Sequence, residues 1–224
     1  MTMSWHDLLF AHWPLAADRL RALVPGALEL DTFDGQAWLG VVPFRMSSVG
    51  PRGWPALPWL SAFAELNVRT YVHVGGKAGV YFFSLDAANP IAVSVARRAF
   101  RLPYFRARMR VASVDGAIRY ASTRTHRGAA PARFAADYRP TGPAYRSAAG
   151  TLEHWLTERY CLYTTGPAGE PLCGEIQHRP WPLQPAEADI SINTMVDGIG
   201  LALPAGAPVL HCAERLDVVA WRYD

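Results

Sequence analysis

In the stretch Glu65-Leu-Asn-Val-Arg-Thr-Tyr-Val72, Glu65, Asn67, Arg69 and Tyr71 fall on one side of an extended chain and Leu66, Val68 and Val72 on the other. One face is polar and charged, the other apolar. Two architectures give this pattern: an exposed sheet, or a barrel with a hydrated lumen whose outside is covered by other parts of the chain. Which of the two the chain adopts decides whether these four side chains can meet a ligand.

The rest of the chain has a mostly β rhythm. Turn signals recur at Pro25-Gly26, Asp34-Gly35, Gly50-Pro51, Gly75-Gly76, Asp115-Gly116, Gly166-Pro167 and Pro204-Ala-Gly206. Between them the pattern predicts strands near Ala37–Met46, Glu65–Val74, Val80–Leu85, Arg106–Val114, Ala117–Arg124, Tyr160–Thr165, Leu172–His178 and Leu216–Trp221. Glu65–Val74 and Val80–Leu85 read as a hairpin through the glycine pair. A helix is expected from about Asn89 to Phe100, with Pro90 in its first turn, and another from Thr151, whose hydroxyl caps Leu152–Glu158. Two amphipathic turns are expected around Ala16–Leu23 and Ala186–Asp189, and Pro51–Pro58 reads as a surface loop.

A chain of 224 residues with this rhythm is expected to form one domain, residues 1–224. At 50% apolar and 18% charged, its composition argues against disorder and coiled coil. Lys77 is the only lysine, so 21 of the 22 basic residues are arginine. The arginines read as alternating with acids along the whole chain, without the dense basic stripe of a nucleic-acid protein. No nucleic-acid partner is expected. Prolines, histidines and charges interrupt each apolar run, and no secretory pattern opens the chain, so the expectation is a cytoplasmic protein with no membrane partner. Cys161, Cys173 and Cys212 are odd in number with no close pair, which fits reduced thiols.

Phosphate loops, dinucleotide fingerprints, zinc helices and nucleophile elbows are missing. His6 and His12 near one end, and Cys173, His178, His211 and Cys212 near the other, match no common zinc spacing, so neither metal nor cofactor is expected.

Several stretches carry a resemblance to a known family. Leu8-Leu-Phe-Ala-His-Trp-Pro14, Leu39-Gly-Val-Val-Pro-Phe-Arg-Met46, Glu65–Tyr71, Phe83-Ser-Leu-Asp-Ala-Ala-Asn-Pro90, Leu102-Pro-Tyr-Phe105, Thr151–Tyr160 and Trp181-Pro-Leu-Gln-Pro-Ala-Glu187 are similar to the YqjF-like, DUF2071-type bacterial family of unknown function. That family resembles the acetoacetate decarboxylase superfamily. The implied fold is mainly β (α+β): a curved antiparallel sheet closing into a barrel around a cavity, a few helices outside, and assembly as a homo-oligomer, with a dimer as the default.

Leu20-Arg21, Val24-Pro25, Leu28-Glu29-Leu30, Phe63-Ala-Glu65 and Asp86…Pro90-Ile-Ala92 are similar to decarboxylase motifs, and Glu65 matches a catalytic-site glutamate. The reactive lysine does not match. Where the decarboxylases have Gly-aromatic-Pro-Lys-Lys, this chain reads Arg101-Leu-Pro-Tyr-Phe105, with Tyr104 at the Schiff-base position and Phe105 beside it. Pro43 stands where a second glutamate precedes the Phe-x-Arg-Met-like run. A phenol forms no imine, and Lys77, in a glycine turn, is expected to be a solvated ammonium with a pKa near ~10.4. Acetoacetate decarboxylase activity is not expected.

If the polar face turns inward, Arg69 offers a planar fork to a carboxylate or phosphate, Glu65 is a proton acceptor, and Tyr104 donates to a carbonyl or enolate. Asn67, Tyr71 and His12 join them as candidate ligand contacts, with Arg45 and Arg106 at the mouth. The competing reading pairs Glu65 with Arg69 as a structural ion pair. Trp13 reads as packing, while Arg45 and Arg106 taken singly read as strand-end charges. Two functions follow: a binding barrel for a small carboxylate or oxo metabolite, or an enzyme doing imine-independent acid–base chemistry on one. A pure structural or interaction protein is the third reading. The tryptophans at Trp54, Trp59 and Trp181 either cover the sheet or form an association surface.

Overall fold

The computed structural model describes residues 1–50 and 62–223. The loop read over Pro51–Pro58, with Trp54 and Trp59, lies outside the described residues. The strands are β1 (Thr2–Leu15), β2 (Glu29–Leu30), β3 (Ala37–Gly50), β4 (Phe63–Val74), β5 (Lys77–Ala87), β6 (Tyr104–Val114), β7 (Ala117–Arg124), β8 (Arg133–Pro140), β9 (Cys161–Thr165), β10 (Pro171–His178), β11 (Gln184–Asn193) and β12 (Val209–Tyr223). Short helices interrupt them at α1 (Ala17–Arg21), α2 (Pro90–Phe100) and α3 (Leu152–Thr157).

Local chemistry accounts for these boundaries. Val74 pairs with Lys77, leaving Gly75 and Gly76 as a two-residue loop with φ of 57° and 79°. Two successive left-handed residues make the mirror-image turn that matches strand twist, and glycine adopts it without a Cβ penalty. The Asn89 side chain accepts from the Ile91 and Ala92 amides at 3.0 and 3.1 Å, and Pro90 takes the first turn of α2. Thr151 caps α3 in the same way.

Strand pairing closes the sheet on itself. One ring runs β12–β1–β3–β4–β5–β9–β10 and returns to β12. A second leaves β5 through β6, β7, β8 and β11, rejoins β12 and shares the β12–β1–β3–β4–β5 wall. The wall therefore has two buried faces, which is why β1 and β3 are nearly continuous apolar runs. Leu9, Ala11, Leu39, Val41, Leu66 and Val68 point into one core with Tyr120, Phe134 and Tyr138. Each buried leucine or valine among them contributes roughly 1.5–3 kcal/mol. Phe10, Val42 and Phe44 point the other way, toward Trp181 and Leu183, with Trp38, Tyr71 and Leu156 close by. The sheet is therefore closed, and the polar face of β4 is not that of an exposed sheet: Glu65, Asn67 and Tyr71 on it are buried.

Three expectations need correction. Ala186–Asp189 lies inside strand β11, where Ala186, Ala188 and Ile190 are half-buried and Glu187 and Asp189 exposed. That is a period of two, not of a helical turn. Strands β1, β2 and β8 were not anticipated at all. Finally, Cys161 and Cys173, twelve residues apart, are diagonal neighbours across the β9–β10 hairpin and form a disulfide, Cα to Cα 6.0 Å, leaving Cys212 as the buried free thiol. Among the described residues no helix is long and apolar enough to cross a membrane.

Candidate functional site

Strand β4 carries the polar face into the buried side of the wall. Glu65, Asn67 and Tyr71 are buried and Arg69 is half-buried. Over six residues the face spans about 20 Å at roughly 3.3 Å per residue, so its two ends form distinct environments.

At the first end, Glu65 lies opposite Phe44 on β3 and Ala87 on β5, and Tyr104, beside Leu85 in the parallel β5–β6 pairing, reaches it diagonally. The Tyr104 phenol hydrogen-bonds the Glu65 carboxyl. Burial pushes that carboxyl up to about 8, the Tyr104 bond opposes the rise, and the charge of nearby Asp86 adds to it. Glu65 is thus largely a neutral acid at pH 7, and its Oε2 has no hydrogen-bond partner. Asp86 is fully buried and paired with Arg124, Nε to Oδ1 2.9 Å and Nη2 to Oδ2 3.2 Å. The Arg124 guanidinium lies 4.2 Å from the Phe105 ring centre.

At the second end, Tyr71 and His12 share a 2.7 Å hydrogen bond. Burial drives the His12 pKa well below its ordinary value, with the Arg69 and His211 charges adding to the fall, so the ring is neutral. Gly40 sits beneath it, and a Cβ there would stand 3.1 Å from two ring atoms and 3.3 Å from Arg69 Cγ. A side chain at this position would press on His12 and Arg69 and push them back by a few tenths of an ångström. The Arg69 guanidinium lies between the Phe10 and Tyr71 rings, 5.5 and 5.7 Å from their centres, and donates to the Leu156 carbonyl at 3.3 Å. Its Nε has no partner.

The surroundings of Arg69 determine its chemistry. Among the described residues it has no carboxylate partner, so the Glu65–Arg69 ion pair does not form. The nearby Arg159 is paired, Nη1 to Asp31 Oδ2 at 2.6 Å, with its guanidinium 4.3 Å from the Trp155 ring centre and 5.1 Å from that of Tyr71. Trp38 Nε1 and Trp181 Nε1, both buried, also lack acceptors. This end of the wall is rich in donors and poor in acceptors. Asn67, with an unpartnered Oδ1, sits between the two ends.

The remaining candidates fall elsewhere. Arg45 lies one residue out of phase with Phe44, its side chain 49% exposed and its Nε 2.6 Å from Asp7 Oδ2. It belongs to the outer surface, not to a cavity mouth. Arg106 is in register with Ala87 and Glu65, but its exposed side chain lines a surface groove of about 560 Å³ with Ile91, Ser94, Val95 and Arg98. Trp13 packs in the other core, as read. Lys77 starts β5 on the surface and pairs with Glu175. Among the described residues no cluster of three or more His, Cys, Asp or Glu side chains is arranged to hold a metal ion.

Sequence reasoning missed Arg159, Trp155 and Leu156, which come from α3 and the turn after it. It also missed Asp86 and Arg124 as a buried pair. Only the aromatic and arginine content of Trp155–Arg159 hinted at a role.

Comparison with known proteins places this geometry. The family described as an uncharacterized conserved protein, DUF2071, matches residues 2–217. The uncharacterized protein YqjF of Bacillus subtilis (strain 168) is 48% identical over 221 residues, covering 99% of this chain and 90% of that protein. Among solved structures, the enduracididine biosynthesis enzyme MppR, complexed with the condensation product of pyruvate and imidazole 4-carboxaldehyde, superposes with a TM-score of 0.67 at 11% identity, covering 100% of this chain and 88% of that one. An acetoacetate decarboxylase gives 0.64 at 16% identity, with 100% and 88% coverage. An acetoacetate decarboxylase-like enzyme from Sphingomonas wittichii RW1 gives 0.59 at 12% identity, with 99% and 92% coverage. At these identities the structural likeness is one of fold.

Proposed function

We propose that this chain, which belongs to the DUF2071 family of uncharacterized conserved proteins, is a small-molecule-binding protein whose β4 wall receives a small carboxylate or oxo metabolite. The observation that carries the reading is Arg69. A half-buried guanidinium held between two aromatic rings, with a carbonyl at 3.3 Å and no carboxylate, is a charge partly withdrawn from water without a counter-ion. A ligand carboxylate supplies that counter-ion, and each hydrogen bond it makes to a charged group contributes about 1.5–3 kcal/mol. The unpartnered indole N–H groups add further donors for an oxyanion. The ligand class agrees with that held by a fold-mate, MppR, whose structures contain pyruvate or a pyruvate condensation product.

The reading excludes a Schiff-base decarboxylase, because Tyr104 is a phenol and Lys77 pairs with Glu175 at the surface. A homodimer in solution is part of the same proposal.

A second reading, imine-independent acid–base chemistry on the same ligand, rests on the Glu65 carboxyl standing near 8 against the Tyr104 phenol. A group titrating near neutrality exchanges protons at working pH, and a phenol beside it can stabilise a developing enolate.

Ligand-induced melting shifts separate these readings, because binding to the folded state raises the melting temperature. In a panel of small carboxylates and oxo acids, Arg69→Ala abolishes the shift under both. Glu65→Gln leaves it intact while abolishing turnover only if Glu65 transfers a proton. Shifts unaffected by either substitution place the ligand elsewhere.

A further inference from the structure

A separate cavity of about 390 Å³ opens between the carboxyl end of α2, β5 and β9. Arg97, Arg101, Tyr81 and Thr165 supply polar lining, Phe82 and Leu102 apolar lining. Its volume falls within the range of small-molecule pockets.

The local charge is one-sided. Between Asp86 and Asp115 the chain holds Arg97, Arg98, Arg101, Arg106, Arg108 and Arg110 and no acidic residue. Among the described residues none of the six forms an ion pair. The expectation that arginines alternate with acids along the whole chain fails here. The carboxyl end of α2 offsets only about half a unit of positive charge.

One arginine of the cavity is held by its side chain, the other by its backbone. Arg97 Nη1 donates to the Tyr104 carbonyl at 2.6 Å, a neutral partner that orients the guanidinium without neutralising it. Arg101 follows α2 with φ of 48°, a left-handed conformation that glycine ordinarily supplies at a helix end and that strains a residue carrying a side chain. Its carbonyl accepts from Thr164 Oγ1 at 3.2 Å, anchoring it to β9. An arginine stands where glycine would be relaxed.

We infer that this cavity binds a small organic phosphate, with the phosphate between the Arg97 and Arg101 guanidiniums and the organic body against Phe82 and Leu102. Two planar forks four residues apart, one in the last turn of α2 and one at its C-cap, both line the cavity, and such a pair suits a dianion with three acceptor oxygens better than a carboxylate with two. Because Arg97 also holds the backbone of Tyr104, whose phenol meets Glu65, the cavity adjoins the β4 wall without sharing its side chains.

The test is calorimetric titration of phenyl phosphate, with benzoate as its carboxylate counterpart, at fixed ionic strength. The Arg69→Met protein, whose wall no longer takes a carboxylate, binds phenyl phosphate at least about tenfold more tightly than benzoate, a gap of about 1.4 kcal/mol. Arg101→Gly removes the guanidinium while relaxing the backbone, so it weakens phenyl phosphate at least about tenfold with an unchanged or raised melting temperature, and Arg101→Lys falls between. Arg69→Met leaves phenyl phosphate binding unchanged, which separates this site from the wall. No binding of phenyl phosphate to the wild type, equal binding to Arg101→Gly, or equal affinity of the Arg69→Met protein for benzoate and phenyl phosphate overturns the inference.

Discussion

Tyr71 and His12 meet in a 2.7 Å hydrogen bond between two fully buried side chains from strands β4 and β1. His12 Nδ1 has no partner, so this bond is what satisfies the ring. Tyr71→Phe keeps the ring packing and strands the imidazole, and a buried polar group left unpaired costs about 1–3 kcal/mol. Urea denaturation checks this: the midpoint falls by the corresponding amount and the slope stays unchanged.

Glu65 makes stability depend on pH in a stated direction. Its carboxyl titrates near 8 in the fold against 4.5 in a free chain, chiefly because burial disfavours the charge. Between those values the folded protein keeps a proton that the unfolded chain releases, so stability falls as pH rises. The contribution is complete below pH 4.5 and lost once pH passes about 8. Glu65→Gln does not titrate. Measured from pH 4.5 to 8.5, wild-type stability declines relative to Glu65→Gln and the difference levels off above about 8. A constant difference across the range contradicts the burial argument.

The Asp86–Arg124 pair is enclosed on all sides, and burial raises the Asp86 pKa against the pull of Arg124. Removing one partner leaves the other charge buried and alone, so Arg124→Met costs about 3–5 kcal/mol. Converting both residues to apolar ones of similar volume costs far less than the sum of the single changes. A double-mutant cycle reads this as a large coupling energy.

Borohydride treatment in the presence of acetoacetate leaves the protein unmodified by mass spectrometry, because the only lysine, Lys77, is a surface ammonium paired with Glu175. An adduct on Lys77 overturns the imine-independent account.

The fold was legible where a short-range period carried it. Alternation from Glu65 to Val72 predicted the two faces of β4, and Gly75-Gly76 predicted its hairpin. Alternation alone gives phase only after register is known. Glu65 pairs with Phe44, which turns the neighbouring Arg45 outward, and nothing in residues 39–46 announces that pairing. β1 escaped detection because Asp7, at φ of 53°, lies where its pairing with β3 shifts register, and because both of its faces are buried, which erases the polar alternation. Leu156, Arg159 and Asp31 reach Arg69 and Tyr71 from distant parts of the chain. Such contacts depend on ring closure, which no local pattern encodes.

The central claim is that Arg69 takes the acid group of a ligand on the β4 wall. A crystal structure of the protein soaked with pyruvate or a related small oxo acid tests it most directly. The account predicts a carboxylate oxygen within about 3 Å of Arg69 Nε, with the carbonyl directed along the wall toward Asn67 and Glu65. An acid bound only at the α2 surface, with the Arg69 guanidinium still resting on the Leu156 carbonyl, contradicts it.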